Sequence, residues 1–189
     1  MEPNRILVLA TEAFRERLLT IEDVDLTNPT PWPGWNVQDL LIHVTQGSRI
    51  AAYLAQGASN QKVEALPTLP TITDDLFLEC LESLDEQRES LEECWPQDRV
   101  VEHPEGDISI ETLILLRSCD LTIHAWDLAR TLRTYEDLNQ ELTDCVYESS
   151  LFIKNELKRT GCFGPNQIAE IDSSKRSLER LLELSGRNP

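Results

Sequence analysis

The sequence predicts an all-α protein, an up-down four-helix bundle with a short C-terminal extension. Three observations predict it. Apolar residues recur at spacings of three and four along most of the 189 residues. Residues with helix-capping chemistry precede these runs. No segment carries a clear period-two strand pattern; residues 100–101 and 168–171 are the only candidates, and both are short. Long helices joined by moderate loops fit the bundle architecture best.

The elements follow in order. Residues 5–19 place Ile6, Leu9, Ala10, Ala13, Phe14 and Leu18 on one helical face. A Pro-rich loop at 27–35 comes next. Asn36 is the expected N-cap of a second helix ending near Ala55, with Asp39 in its favourable first turn. Its apolar face is Val37, Leu40, Leu41, Val44, Ala51 and Leu54. Residues 57–70 read as a Pro-containing linker. Thr73, Asp74 and Asp75 open a third helix that Pro96 stops after Cys94. A loop at 100–107 holds His103. Ser109 caps a fourth helix to about Leu132, with Ile110, Leu113, Ile114, Leu121, His124 and Leu128 facing inward. A fifth helix spans 138–159, and a final short one 173–184. Residues 1–160 are expected to form the bundle, and 161–189 an extension packed on it.

The bulk chemistry narrows the partners. Net charge is −17, from 34 acidic and 17 basic residues. No Lys/Arg cluster interrupts this background, which argues against nucleic acid or an anionic membrane surface. The longest apolar runs fall far short of a membrane span. The first residues carry no signal-like apolar core, so a cytoplasmic location is expected. Cys80, Cys94, Cys119, Cys145 and Cys162 are an odd number without CxxC spacing. They are expected to be reduced thiols. The remaining partner class is a small molecule, bound by a monomer or homodimer.

The chain has three histidines. Asp120 and His124 stand four residues apart on one helix, so their side chains share a face. His43, on a second helix, could complete a three-ligand set. Two His and one carboxylate with an open position is the pattern of a catalytic divalent-metal site. A lone histidine on an apolar stripe is more often a hydrogen-bonded core residue. Here an unpaired buried Asp120 would be costly, and Gly47, one turn after His43, leaves room beside the imidazole for a ligand. His103, beside Pro104 and near Gly106, reads as a solvated or packing residue. Asp127 orients a substrate, pairs with a base, or is solvated. Trp32, Trp35 and Trp126 read as packing near the site entrance. No Gly-rich phosphate loop, nucleophile elbow or Cys/His dyad is evident.

Pro-Trp-Pro-Gly-Trp-Asn-Val-Gln-Asp-Leu-Leu-Ile-His43 and His124-Ala-Trp-Asp-Leu-Ala resemble two motifs of the mycothiol-dependent maleylpyruvate isomerase-like proteins, in the DinB-like superfamily. The ending, with Phe163-Gly-Pro165 and Arg-Leu-Leu-Glu-Leu-Ser-Gly-Arg187, is similar to that of their shorter, single-domain members. The resemblance implies a divalent metal, usually zinc, on His43, Asp120 and His124, with a low-molecular-weight thiol or water in the open position. It implies an isomerase or thiol S-transferase acting on a small electrophile; the alternative is a non-catalytic helical protein that binds a metal or small molecule. One departure stands out: many family members carry Glu where this chain has Asp120.

Overall fold

The computed structural model describes residues 1–64, 76–96, 99–159 and 174–189. Four long helices carry the architecture: α1 (Pro3–Leu18), α2 (Val37–Ala55), α4 (Leu76–Cys94) and α5 (Ile110–Leu132). A short α3 (Asn60–Glu64) follows α2, where the sequence reads as linker. The C-terminal part contains α6 (Gln140–Phe152), α7 (Lys154–Arg159) and α8 (Ser177–Leu184). The fold is all-α, as the periodicity predicts.

The close pairs are α2 with α4 and α1 with α5, and weaker α2–α5 and α1–α4 packing joins them into a four-helix bundle. Ile6, Leu7, Ala10 and Phe14 of α1 meet Leu40, Leu41 and Val44 of α2 and Leu84 of α4 in one buried core. Helix α5 is the central element. Every residue from Leu113 to Ala129 is buried, so its polar side chains must find internal partners. The sequence shows only one apolar stripe on it. The helix packs against α1, α2 and α6, and Trp126 packs with Leu178 and Leu182 of α8 in a second cluster.

Capping follows the sequence. The Asn36 side chain accepts from the Asp39 N–H at 2.9 Å, and the Asp39 carboxylate accepts from the Asn36 N–H at 3.0 Å. Ser109 Oγ accepts from the Thr112 N–H at 3.1 Å. Both helices that carry the candidate ligands are thereby fixed at their N-termini.

Two expectations change. The helix expected over 138–159 is two helices, with Ile153 at the break between α6 and α7. Val100–Val101 is a strand, β1, but its partner β2 is Ile108–Ser109, in an antiparallel hairpin around His103. The start of the third helix at 73–75, the candidate strand at 168–171 and the domain boundary at 160/161 lie outside the described residues. Cys80, Cys94 and Cys119 are buried thiols outside any disulfide, and Cys145 is a half-buried one; Cys162 lies outside the described residues. Burial pushes the Cys80 thiol up to about 11. Among the described residues no helix is long and apolar enough to cross a membrane.

Candidate metal centre

The Pro-rich loop before α2 is a structured turn. Asn28 accepts from the Val37 N–H, and the Thr30 N–H and hydroxyl both donate to the Trp35 carbonyl at 2.9 and 3.1 Å. Gly34 sits at φ +84°, a conformation L side chains rarely adopt. This turn delivers Trp35 onto the imidazoles: its ring centroid lies 4.9 Å from that of His43 and 6.0 Å, nearly parallel, from that of His124.

His43 from α2 and Asp120 and His124 from α5 converge. Asp120 Oδ1 lies 3.3 Å from His43 Nε2 and 3.4 Å from His124 Nε2. One ligand atom from each of the three residues lies within 4.8 Å of the others. Asp120 and His124 are buried, while His43 remains half-exposed. Although Asp120 is one CH₂ shorter than Glu, it reaches both rings.

Two arginines complete the arrangement, and sequence reasoning missed both. Arg117, three residues before Asp120, donates from Nη1 to Asp120 Oδ2 at 2.8 Å, from Nε to Gln87 at 2.6 Å and from Nη2 to Ser48 at 3.2 Å. It occupies the space above Gly47: a Cβ there would lie 2.5 Å from Arg117 Nη1. The room expected for a ligand is thus filled by a guanidinium. Gly47 and the i,i+3 relation of Arg117 to Asp120 were the available signals. Asp127, whose role the sequence leaves open, is fully buried and accepts from Arg187 Nη2 at 2.7 Å and Nε at 3.2 Å. Arg187 also stacks on Trp32, 4.6 Å from the ring centroid. Nothing local marks that pairing; it joins α5 to the last residues of the chain.

Asp127 Oδ2 also lies 2.9 Å from His124 Nδ1. With Nδ1–H donating to Asp127, the neutral His124 presents its Nε2 lone pair toward His43 and Asp120. Without a cation the ring is charged instead, with Nε2–H facing Asp120, and a metal would have to displace that proton. Burial alone would raise the Asp120 carboxyl, but His43, His124 and Arg117 hold it well below the usual range. Burial alone would lower His124, yet Asp120, then Asp127, lift it to about 9. The two carboxylates together hold positive charge on the His124 ring.

A cavity of about 250 Å³ opens beside His43, Gly47, Arg117 and Asp120. Its wall includes His103, which the sequence reads as a solvated or packing residue. Trp126 is buried in the core, whereas Trp32 and Trp35 touch the site residues directly.

The chain belongs to the family described as the mycothiol maleylpyruvate isomerase N-terminal domain, whose model matches residues 7–129. Two uncharacterised proteins of Mycobacterium tuberculosis, from strains CDC 1551 / Oshkosh and ATCC 25618 / H37Rv, are each 28% identical over 142 residues. Each match covers 75% of this chain and 74% of the relative. The fold is similar to a crystal structure of mycothiol-dependent maleylpyruvate isomerase, with TM-score 0.61, 17% identity, and coverage of 85% of this chain and 71% of that one. A histidine-to-alanine mutant of that enzyme matches with the same TM-score, at 16% identity over 77% of this chain and 67% of that one.

Proposed function

We propose that this protein is a divalent-metal-dependent enzyme that uses a low-molecular-weight thiol, mycothiol-like, on a small electrophile, as an isomerase or S-transferase. The observation that carries it is the ligand geometry. Two imidazole nitrogens lie 3.3 and 3.4 Å from one carboxylate oxygen. Tetrahedral zinc with bonds of about 2.0–2.1 Å has ligand–ligand edges of about 3.3 Å. The donor set of two imidazoles and a carboxylate suits zinc and leaves a fourth position for a thiol or water.

When bound, such a metal lowers the pKa of a thiol or water at that position and so supplies a nucleophile near neutral pH. The protein's own residues do the rest. Asp127, itself clamped by Arg187, fixes the His124 tautomer and ring orientation, the outer-shell role such carboxylates play. Arg117 holds the second oxygen of Asp120, so that Oδ1 faces the imidazoles. Trp35 covers one side of both rings and excludes water there. Reduced thiols in the protein fit a cytoplasmic setting, where such a thiol cofactor is also reduced.

The test is metal analysis of untagged protein, followed by calorimetric zinc titration at fixed pH, because ligand protonation couples to binding. Asp120→Ala and His124→Ala should each lose more than about 100-fold in zinc affinity, since even outer-shell changes cost 10–100-fold. Unchanged affinity in Asp120→Ala would remove the carboxylate from the site and favour the non-catalytic reading.

A further inference from the structure

The hairpin between α4 and α5 is built to hold one side chain. Val100 pairs with Ser109 and Val101 with Ile108. Between them the His103 N–H donates to the Val101 carbonyl at 3.0 Å, and the Gly106 N–H to the His103 carbonyl at 2.8 Å. Gly106 takes φ +110°, and the Arg159 guanidinium, which donates to the Glu105 carbonyl, fills the place of its missing Cβ. His103 Nδ1 accepts from the Glu105 N–H at 3.1 Å. Burial, then the Arg159 charge, lower the His103 pKa and keep the ring neutral. In that tautomer the ring proton resides on Nε2, which makes His103 a donor.

His103 lines the same cavity as His43 and Asp120. Much of the remaining wall is apolar: Ile50 and Ala51 from α2, Leu113 and Leu116 from α5. Arg117 is the one Lys or Arg among the described lining residues, and its guanidinium is committed to Asp120, Gln87 and Ser48. Glu105 adds a negative charge to the wall. In the metal-free protein a ligand with two carboxylates would have to desolvate them with no lysine or arginine to spare.

From this we infer that the cavity takes a small, largely apolar electrophile with one hydrogen-bond-accepting oxygen, and that His103 is the residue that binds that oxygen. The inference rests on the reading of the His–Asp–His cluster as the reacting centre, and names the substrate class for it. When a nucleophile attacks such a molecule, negative charge moves onto the acceptor oxygen. A preorganised neutral donor stabilises that charge without giving up its proton.

Binding alone tests it, with no turnover needed. Acetophenone, uncharged with one carbonyl oxygen and without a thiol-reactive double bond, serves as the probe. Maleate serves as the dianion. Both are titrated into the full chain by saturation-transfer NMR, first without metal and then with zinc. Acetophenone should bind the metal-free native protein more tightly than maleate. His103→Ala should weaken acetophenone about tenfold, the scale of one hydrogen bond, and His103→Gln, which keeps an N–H donor, should recover most of the loss. Zinc affinity and melting temperature should be the same in all three proteins. Equal acetophenone affinity in native protein and His103→Ala, or tighter binding of maleate by the metal-free protein, would overturn the inference. Failure of the native protein to bind zinc would sink the metal reading instead, and the metal-free titrations would still decide the role of His103.

Discussion

The Asp120 end and the Asp127 end of helix α5 each join a buried carboxylate to a buried arginine, yet they are wired differently. Arg117 is a near neighbour of Asp120 on the same helix and takes only Oδ2, leaving Oδ1 toward two imidazoles. Arg187 comes from 60 residues further along the chain and engages both oxygens of Asp127. The first pair therefore sits where an added cation would share the carboxylate. The second is closed, and its remaining link is the hydrogen bond that orients His124. One end is arranged to respond to a cation, the other to hold a ring still.

The largest expected effect is at the closed end. Arg187→Ala leaves Asp127, fully buried, facing His124 without its arginine. Removing one partner of a buried pair costs about 3–5 kcal/mol. Urea unfolding should show that loss, and saturating zinc should not abolish the gap to the native protein, because Asp127 stays without its arginine. Arg187→Lys keeps the charge but not the two-pronged geometry, and should fall between.

Arg117→Ala should cost less, about 2 kcal/mol, because both imidazoles still face Asp120. The contrast lies in the response to metal. A cation at the His–Asp–His cluster replaces part of what Arg117 gave Asp120, so zinc should raise the melting temperature of Arg117→Ala more than that of Arg187→Ala. Equal zinc-induced shifts in the two variants would dissolve the distinction between the two ends.

How much of this was legible in the sequence follows the range of each interaction. The helices and their Asn36 and Ser109 caps come from local periodicity and local hydrogen bonds, and both were readable. So was the convergence of His43, Asp120 and His124, because i,i+4 spacing fixes half of it. Arg117 left a partial trace, an arginine three residues from a buried acid and a glycine facing it across α2. Arg187 left none, since a contact spanning 60 residues has no spacing rule. The hairpin that turns His103 into the cavity was half seen: Val100-Val101 reads as a strand, whereas Ser109 has a second role as a cap that hides its place in β2. The burial of α5 beyond its one apolar stripe had no local signal, because the layer that covers it is set by tertiary packing.

Asp120→Glu sharpens the open end. On the sequence alone, lengthening the side chain toward the family's usual residue is expected to hold or raise metal affinity. In the structure, Asp120 already meets both imidazoles and Arg117 at bonding distance. An added CH₂ pushes the carboxylate roughly 1.5 Å into that set, one carbon–carbon bond length, and must break the Arg117 contact or shift the helix. Zinc affinity should fall about tenfold by calorimetry, the worth of one charge-assisted hydrogen bond. A rise would mean that Arg117 yields freely.

The smallest effect has the clearest sign. Replacing glycine by alanine in a helix interior ordinarily stabilises by about 1 kcal/mol. At Gly47 the new methyl would meet Arg117 Nη1 at 2.5 Å and Cζ at 3.0 Å. A long side chain could swing aside, but three hydrogen bonds hold this one, to Asp120, Gln87 and Ser48. Giving up one or two of them outweighs the propensity gain, so Gly47→Ala should destabilise by about 1 kcal/mol. In the Arg117→Ala background the obstruction is gone, and the same substitution should become stabilising by about the same amount. Urea unfolding of the four proteins in a double-mutant cycle measures the coupling directly. A Gly47→Ala effect of the same sign in both backgrounds would show that the glycine is not there to admit Arg117.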